Sequence, residues 1–217
     1  MNKLSRRPAR RRFTAMVAIA LAPLLVVAGV AWAAATDNMF PTSHTGGACI
    51  AGMNGSAPCQ TDNKEVYFYM DSAGEYELEA VDKQTVNSAI DGEYRPTDLA
   101  FHYDSSPVFS GSGETDIIYQ EGSTGLPDSA AGMTWCDAVG GDVRDCDQQY
   151  IRIRGNGYIT YARVCHETGH AVGLQHGDLA SPQLNKHTDT RLGCLLTPSD
   201  GHPDLGANNR ENINATY

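Results

Sequence analysis

The run His166-Glu167-Thr168-Gly169-His170-Ala171-Val172-Gly173-Leu174-Gln175-His176 constrains this chain more than any other stretch of it. His166 and His170 are four residues apart. On a helix both imidazoles therefore project from one face, one turn apart, and can share a single cation. Gly173 accepts positive φ without a Cβ penalty, which lets the chain leave the helix and turn sharply. Three residues later, His176 can then approach the same cation from outside the helix. A fold that accommodates this run needs a helix, a stop at Gly173 and a return of the chain toward the helix face.

Three neutral imidazoles suit zinc, which takes nitrogen ligands at about 2.0–2.1 Å in tetrahedral geometry. A catalytic zinc keeps three protein ligands and leaves the fourth position for water, so His166, His170 and His176 are the expected ligands of one catalytic Zn2+ ion. Glu167, beside the first ligand, points at the open side of the metal rather than at the metal. It is the expected general base, taking a proton from the zinc-activated water and passing it to the leaving amine. The plain alternative is an amphipathic helix with surface histidines.

The first twelve residues carry Lys3, Arg6, Arg7, Arg10, Arg11 and Arg12 with no acidic residue, and an alanine-rich apolar run follows from Phe13 to Ala35. That is the pattern of a signal peptide, with small-x-small cleavage sites near residues 33 to 35. The run is also long enough to stay behind as an uncleaved anchor. Residues 1–35 are thus expected to be a leader, and 36–217 a single catalytic domain delivered to the extracellular space. Without the leader, ten basic side chains face twenty-six acidic ones, a formal charge of about −16. So acidic a surface favours solubility and argues against nucleic acid or an anionic membrane as partner. The expected partner is a protein or peptide substrate, met by a monomer.

All six cysteines follow the leader. An even count behind an export signal reads as three disulfides formed in an oxidising compartment. Sequence alone allows fifteen pairings. Cys49 with Cys59 and Cys136 with Cys146 are each ten apart, a spacing that favours local loops and leaves Cys165 for Cys194.

Residues 36–63 are rich in Gly, Ser, Thr, Asn and Pro and read as an irregular segment. Strands are expected at 66–70, 99–103, 116–119 and 150–153, from their aromatic and β-branched content or alternation. A helix is expected over 75–90, with Leu78, Val81, Val86 and Ile90 at roughly helical spacing, and a second over 160–172, ended by Gly173. Beyond Gly177 the chain reads as loop, with one short helix near 208–213. The order predicts an α+β fold: a small mixed sheet packed on two helices, an active-site helix and an irregular C-terminal subdomain.

The eleven-residue run resembles the extended zinc signature of the metzincin metallopeptidases, and its His-Glu-Thr-Gly-His core is similar to small secreted actinobacterial members, the snapalysin-like enzymes. In those the third ligand is often Asp, whereas here the matching position is His176. The resemblance implies a twisted sheet with two helices before the motif, a small C-terminal part after it, and peptide-bond hydrolysis. It also implies a methionine in a tight turn beneath the ligands, but this chain has no methionine after Met133. Leu195 is the expected counterpart, close to Met in volume. Because the family holds that turn against the active-site helix, the resemblance independently motivates the Cys165–Cys194 pairing.

Substrate in that family adds alongside an edge strand, and 115–120 is the candidate edge here. Asp142, Asp145 and Asp147 could bind Ca2+, although a solvated acidic loop explains them better. Asp178 is a candidate for orienting His176. His44, His102, His187 and His202 read as ordinary surface or core histidines. Two rival functions stand beside the peptidase: a secreted zinc-binding module without activity, and a zinc hydrolase of a non-peptide bond. A purely structural site has no need of a base such as Glu167 beside its ligands.

Overall fold

The computed structural model describes residues 36–53, 58–111 and 113–217. All of them belong to one unit, Trp32–Tyr217. The expected leader lies outside the described residues. No helix among them is long and apolar enough to cross a membrane.

Six strands form one sheet: β1 (Gln60–Thr61), β2 (Glu65–Met70), β3 (Ala100–Tyr103), β4 (Ile117–Glu121), β5 (Gly132–Val139) and β6 (Asp145–Ile153). The order β1-β6-β4-β2-β3 is parallel at every pairing, and β5 alone runs antiparallel, against β6. The sheet is therefore mixed, as expected. In β2 the alternation is regular: Val66, Phe68 and Met70 are buried, whereas Glu65 and Tyr67 are exposed.

Helix α1 (Ala80–Ala89) continues through a π-helical turn, Ile90–Tyr94, and α2 is Tyr161–Ala171. Both contribute to the core formed with the sheet, where Phe68, Ile117, Tyr119, Ile151 and Ile153 meet Val86, Ile90, Tyr94 and Val164. Each such side chain, fully buried, contributes roughly 1.5–3 kcal/mol. The first helix begins later than its apolar spacing suggests. Residues 74–76 form a separate 3-10 turn, Glu79 is extended, and Leu78 is buried from outside the helix with its amide bonded to Asp71 O at 2.9 Å. Val81, expected on the buried face, is 60% exposed.

The candidate edge strand is corrected. β4 pairs with β2 on one side and β6 on the other, and Ile117, Ile118 and Tyr119 are buried as a continuous run, the mark of an internal parallel strand. The edge beside α2 is β5, which the sequence reading did not identify.

After α2 the chain is irregular except for 3-10 turns at Gly177–Leu179 and Thr190–Leu195 and a last helix, α3 (Ala207–Thr216). The disulfides are Cys49–Cys59, Cys136–Cys146 and Cys165–Cys194, which are the expected pairs.

Candidate metal centre

Helix α2 starts at Thr160, whose side chain accepts from Arg163 N at 3.3 Å, satisfying a first-turn amide. It stops as the glycine predicts. Gly173 has φ of 94°, its amide bonds His170 O at 3.0 Å, and Leu174 N bonds Gly169 O at 2.8 Å. This paired closure reverses the chain within two residues. A side chain at 173 would be strained there and would also meet Met39 Sδ at 2.8 Å.

The reversal delivers His176 to the helix face. His166, His170 and His176 place their Nε2 atoms at 3.1 Å from one another in all three pairings. His166 Nδ1 lies 2.7 Å from Cys194 O, and His170 Nδ1 lies 2.8 Å from Leu174 O. A carbonyl oxygen only accepts, so these two rings carry their proton on Nδ1 and turn an Nε2 lone pair inward. Lone pairs so close repel unless a cation lies among them. A tetrahedral zinc with bonds of about 2.0–2.1 Å would space its nitrogens by about 3.3 Å, close to the triangle found. The three histidines therefore fit a metal ion, and this group could hold one.

Electrostatics agree with the donor set. Burial pushes all three imidazoles below their ordinary value, His166 well below it, His170 to about 4 and His176 to about 3. Neutral rings are the form that binds metal.

Glu167 is buried beside the triad. Thr134 Oγ1, from β5, lies 2.8 Å from Glu167 Oε2 and 2.9 Å from the Glu167 carbonyl. Gly132, two residues earlier on the same strand, leaves room for the carboxylate, since a Cβ there would stand 2.7 Å from Oε1. Desolvation raises the Glu167 carboxyl to about 7, against the opposing pull of the Thr134 hydrogen bond and the Arg163 charge. The triad, Glu167, Gly132, Met133 and Thr134 line one cleft of about 340 Å³, with Met53, Pro58 and Leu179 on its walls.

Beneath the helix, Leu195 is fully buried and lies against Gly169, where an added Cβ would meet its Cδ2 at 2.9 Å. An apolar floor is thus present at the position where the resemblance implies a methionine.

Other expectations divide. Asp142, Asp145 and Asp147 do not converge: among the described residues, no group of three ligand atoms includes them, and Asp142 bonds Arg144 at 3.0 Å. Asp178 Oδ2 bonds Lys186 Nζ at 2.7 Å and not the His176 ring. His44, His102, His187 and His202 join no ligand group among the described residues, and the second convergent group there, Cys49, Cys136 and Cys146, is tied up in disulfides. The sequence reading missed Gly132, Thr134 and the Cys194 carbonyl. Their only signal was the small and β-branched character of 132 and 134, two apart on one strand face.

No protein-family model matches this chain, and no match is found among curated proteins.

Proposed function

We propose that this chain is an exported zinc endopeptidase of the metzincin type, with His166, His170 and His176 as metal ligands and Glu167 as general base. The observation that carries the reading is the triangle of three Nε2 atoms at 3.1 Å beside a buried carboxylate in the same open cleft. Zinc held there would supply Lewis acidity toward a peptide carbonyl and make water more acidic.

The protein's own groups supply the rest. Glu167, held by Thr134, would accept a proton from the attacking water and return it to the leaving nitrogen. Its raised pKa suits a group that must both take and release a proton near neutrality. Strand β5 pairs with β6 alone among the strands; Gly52 N bonds Cys136 O at 2.7 Å, and the edge beyond it, over residues 132–134, would take an extended substrate by backbone hydrogen bonds. Gly132, Met133 and Thr134 of that strand line the cleft, which aligns a bound peptide with the base. Three disulfides and an acidic composition suit an oxidising, extracellular setting. A non-catalytic zinc module gives no reason to bury a carboxylate beside its ligands.

The test is metal analysis combined with a peptide-cleavage assay. The parent should bind one zinc and lose cleavage on chelation, and Glu167→Ala should keep zinc but lose cleavage. A Glu167→Ala protein that cleaves as well as the parent overturns the mechanism.

A further inference from the structure

The segment following the expected leader is not a loose tail. Thr36, Asn38, Met39 and Phe40 are all buried, with Asn38 at 0% exposure. Residues 37–40 run alongside the chain that leaves α2. Phe40 N bonds Gly173 O at 2.8 Å, Gln175 N bonds Asn38 O at 2.8 Å, and Asp37 and Ser181 exchange backbone bonds of 3.0 and 2.7 Å. His176 lies between these anchors, so both ends of its loop are pinned by the same short segment.

Asn38 adds a side-chain hold. Its Nδ2 donates to Gln175 O at 3.0 Å and to Asn209 Oδ1 at 3.0 Å, and its Oδ1 accepts from Asn212 Nδ2 at 2.6 Å. Asn209 and Asn212 belong to α3, and Asn209 Nδ2 also donates to Leu192 O at 2.8 Å, in the turn that carries Cys194. The buried amides thus connect the carbonyl preceding His176 with the turn whose Cys194 carbonyl orients His166. Buried polar groups with most partners satisfied make a stiff support, and leaving one unpaired is costly.

We propose that residues 36–40 form a strap that positions the third metal ligand, with Asn38 as the positioning residue that transmits its hold through Gln175 to His176. The proposal rests on the reading of His176 as a ligand. It makes metal affinity depend on a segment whose side chains do not touch the metal, and linkage requires the converse: metal binding must tighten the strap.

Two measurements on the full disulfide-bonded chain test it. In the unaltered protein, adding zinc to the metal-free form should slow amide exchange in residues 36–40 together with 173–176. Asn38→Asp keeps the Oδ1 acceptor but removes the donor to Gln175. It should weaken zinc binding, read by competition with a chromogenic chelator, by roughly 10–100-fold, the range for lost outer support of a ligand. Val66→Ala, a buried change in β2, should lower the melting temperature and leave zinc affinity within about threefold. Should Asn38→Asp not fold, the exchange measurement decides alone. Zinc bound equally tightly by parent and Asn38→Asp, or exchange in 36–40 that ignores zinc while 173–176 responds, overturns the strap and leaves the metal site standing. A parent that binds no zinc overturns both.

Discussion

Cys194 holds His166 twice: its carbonyl accepts from the His166 ring at 2.7 Å, and its sulfur is bonded to Cys165, the residue immediately before that histidine. The ring's orientation and the position of its helix are therefore set by one turn. The paired change Cys165→Ala with Cys194→Ala should cost roughly 2–4 kcal/mol of stability, as for loops of this size. It should also weaken zinc binding, because the carbonyl loses its fixed place. Thermal unfolding with and without zinc checks both, and a variant whose zinc-induced stabilisation equals the parent's would separate the disulfide from the site.

The clasp of β5 on Glu167 makes two further changes informative. Gly132→Ala puts a methyl group 2.7 Å from Oε1 and should displace the base, lowering cleavage by at least about tenfold while zinc stays bound. Thr134→Val removes a donor that favours the charged carboxylate, so the Glu167 pKa should rise and the acid limb of kcat/KM should move to higher pH. Steady-state pH profiles with metal analysis of each variant are the check. A limb that moves to lower pH in Thr134→Val contradicts the hydrogen bond's assigned sense.

In the metal-free protein two opposing pH dependences overlap. The imidazoles have depressed pKa values, so the unfolded chain binds more protons than the folded one from about 3 for His176 and about 4 for His170 up to the ordinary value near 6.5. Their share of stability is present above pH 6.5 and is lost as pH falls through that window. Glu167 runs the other way, because its raised carboxyl gives the folded state the extra proton between 4.5 and about 7. Its contribution is present below that window and lost as pH rises through it. The stability gained by Glu167→Gln over the parent should therefore grow from pH 5 to pH 8, by on the order of 2 kcal/mol. Urea unfolding in chelator at the two pH values measures it; a constant difference would place the Glu167 carboxyl at its ordinary value.

What could be read in advance followed locality. The His166 and His170 spacing, the stop at Gly173 and the ten-residue cysteine loops are properties of short stretches, and each is found in place. Strand β5 was not readable. Its pairing with β6 is irregular around Cys136 and Ala138, and the roles of Gly132 and Thr134 come from a carboxylate on a distant helix. Residues 36–40 looked irregular because Asn and Thr ordinarily mark loops. Asn38 is buried among partners distant in sequence, Asn209 at 171 residues and Gln175 at 137 residues away, a fact no local pattern contains.

Leu195 tests how far the floor of the site depends on shape and how far on a particular side chain. It is fully buried, packs on Gly169 between His166 and His170, and lies in the turn closed by Gly193 at φ of 49°. Leu195→Ala leaves a void beneath that helix and should cost roughly 2–5 kcal/mol. Leu195→Met conserves volume and should cost less than about 1.5 kcal/mol, because the floor contributes packing and no ligand. Zinc affinity should follow the same order, with the methionine variant near the parent and the alanine variant weaker, since a helix free to settle into the void carries His166 and His170 with it. Denaturant unfolding and chelator competition on the two variants give the answer. A methionine variant as damaged as the alanine one would mean that the leucine's branched shape, rather than its bulk, fixes the helix over the turn.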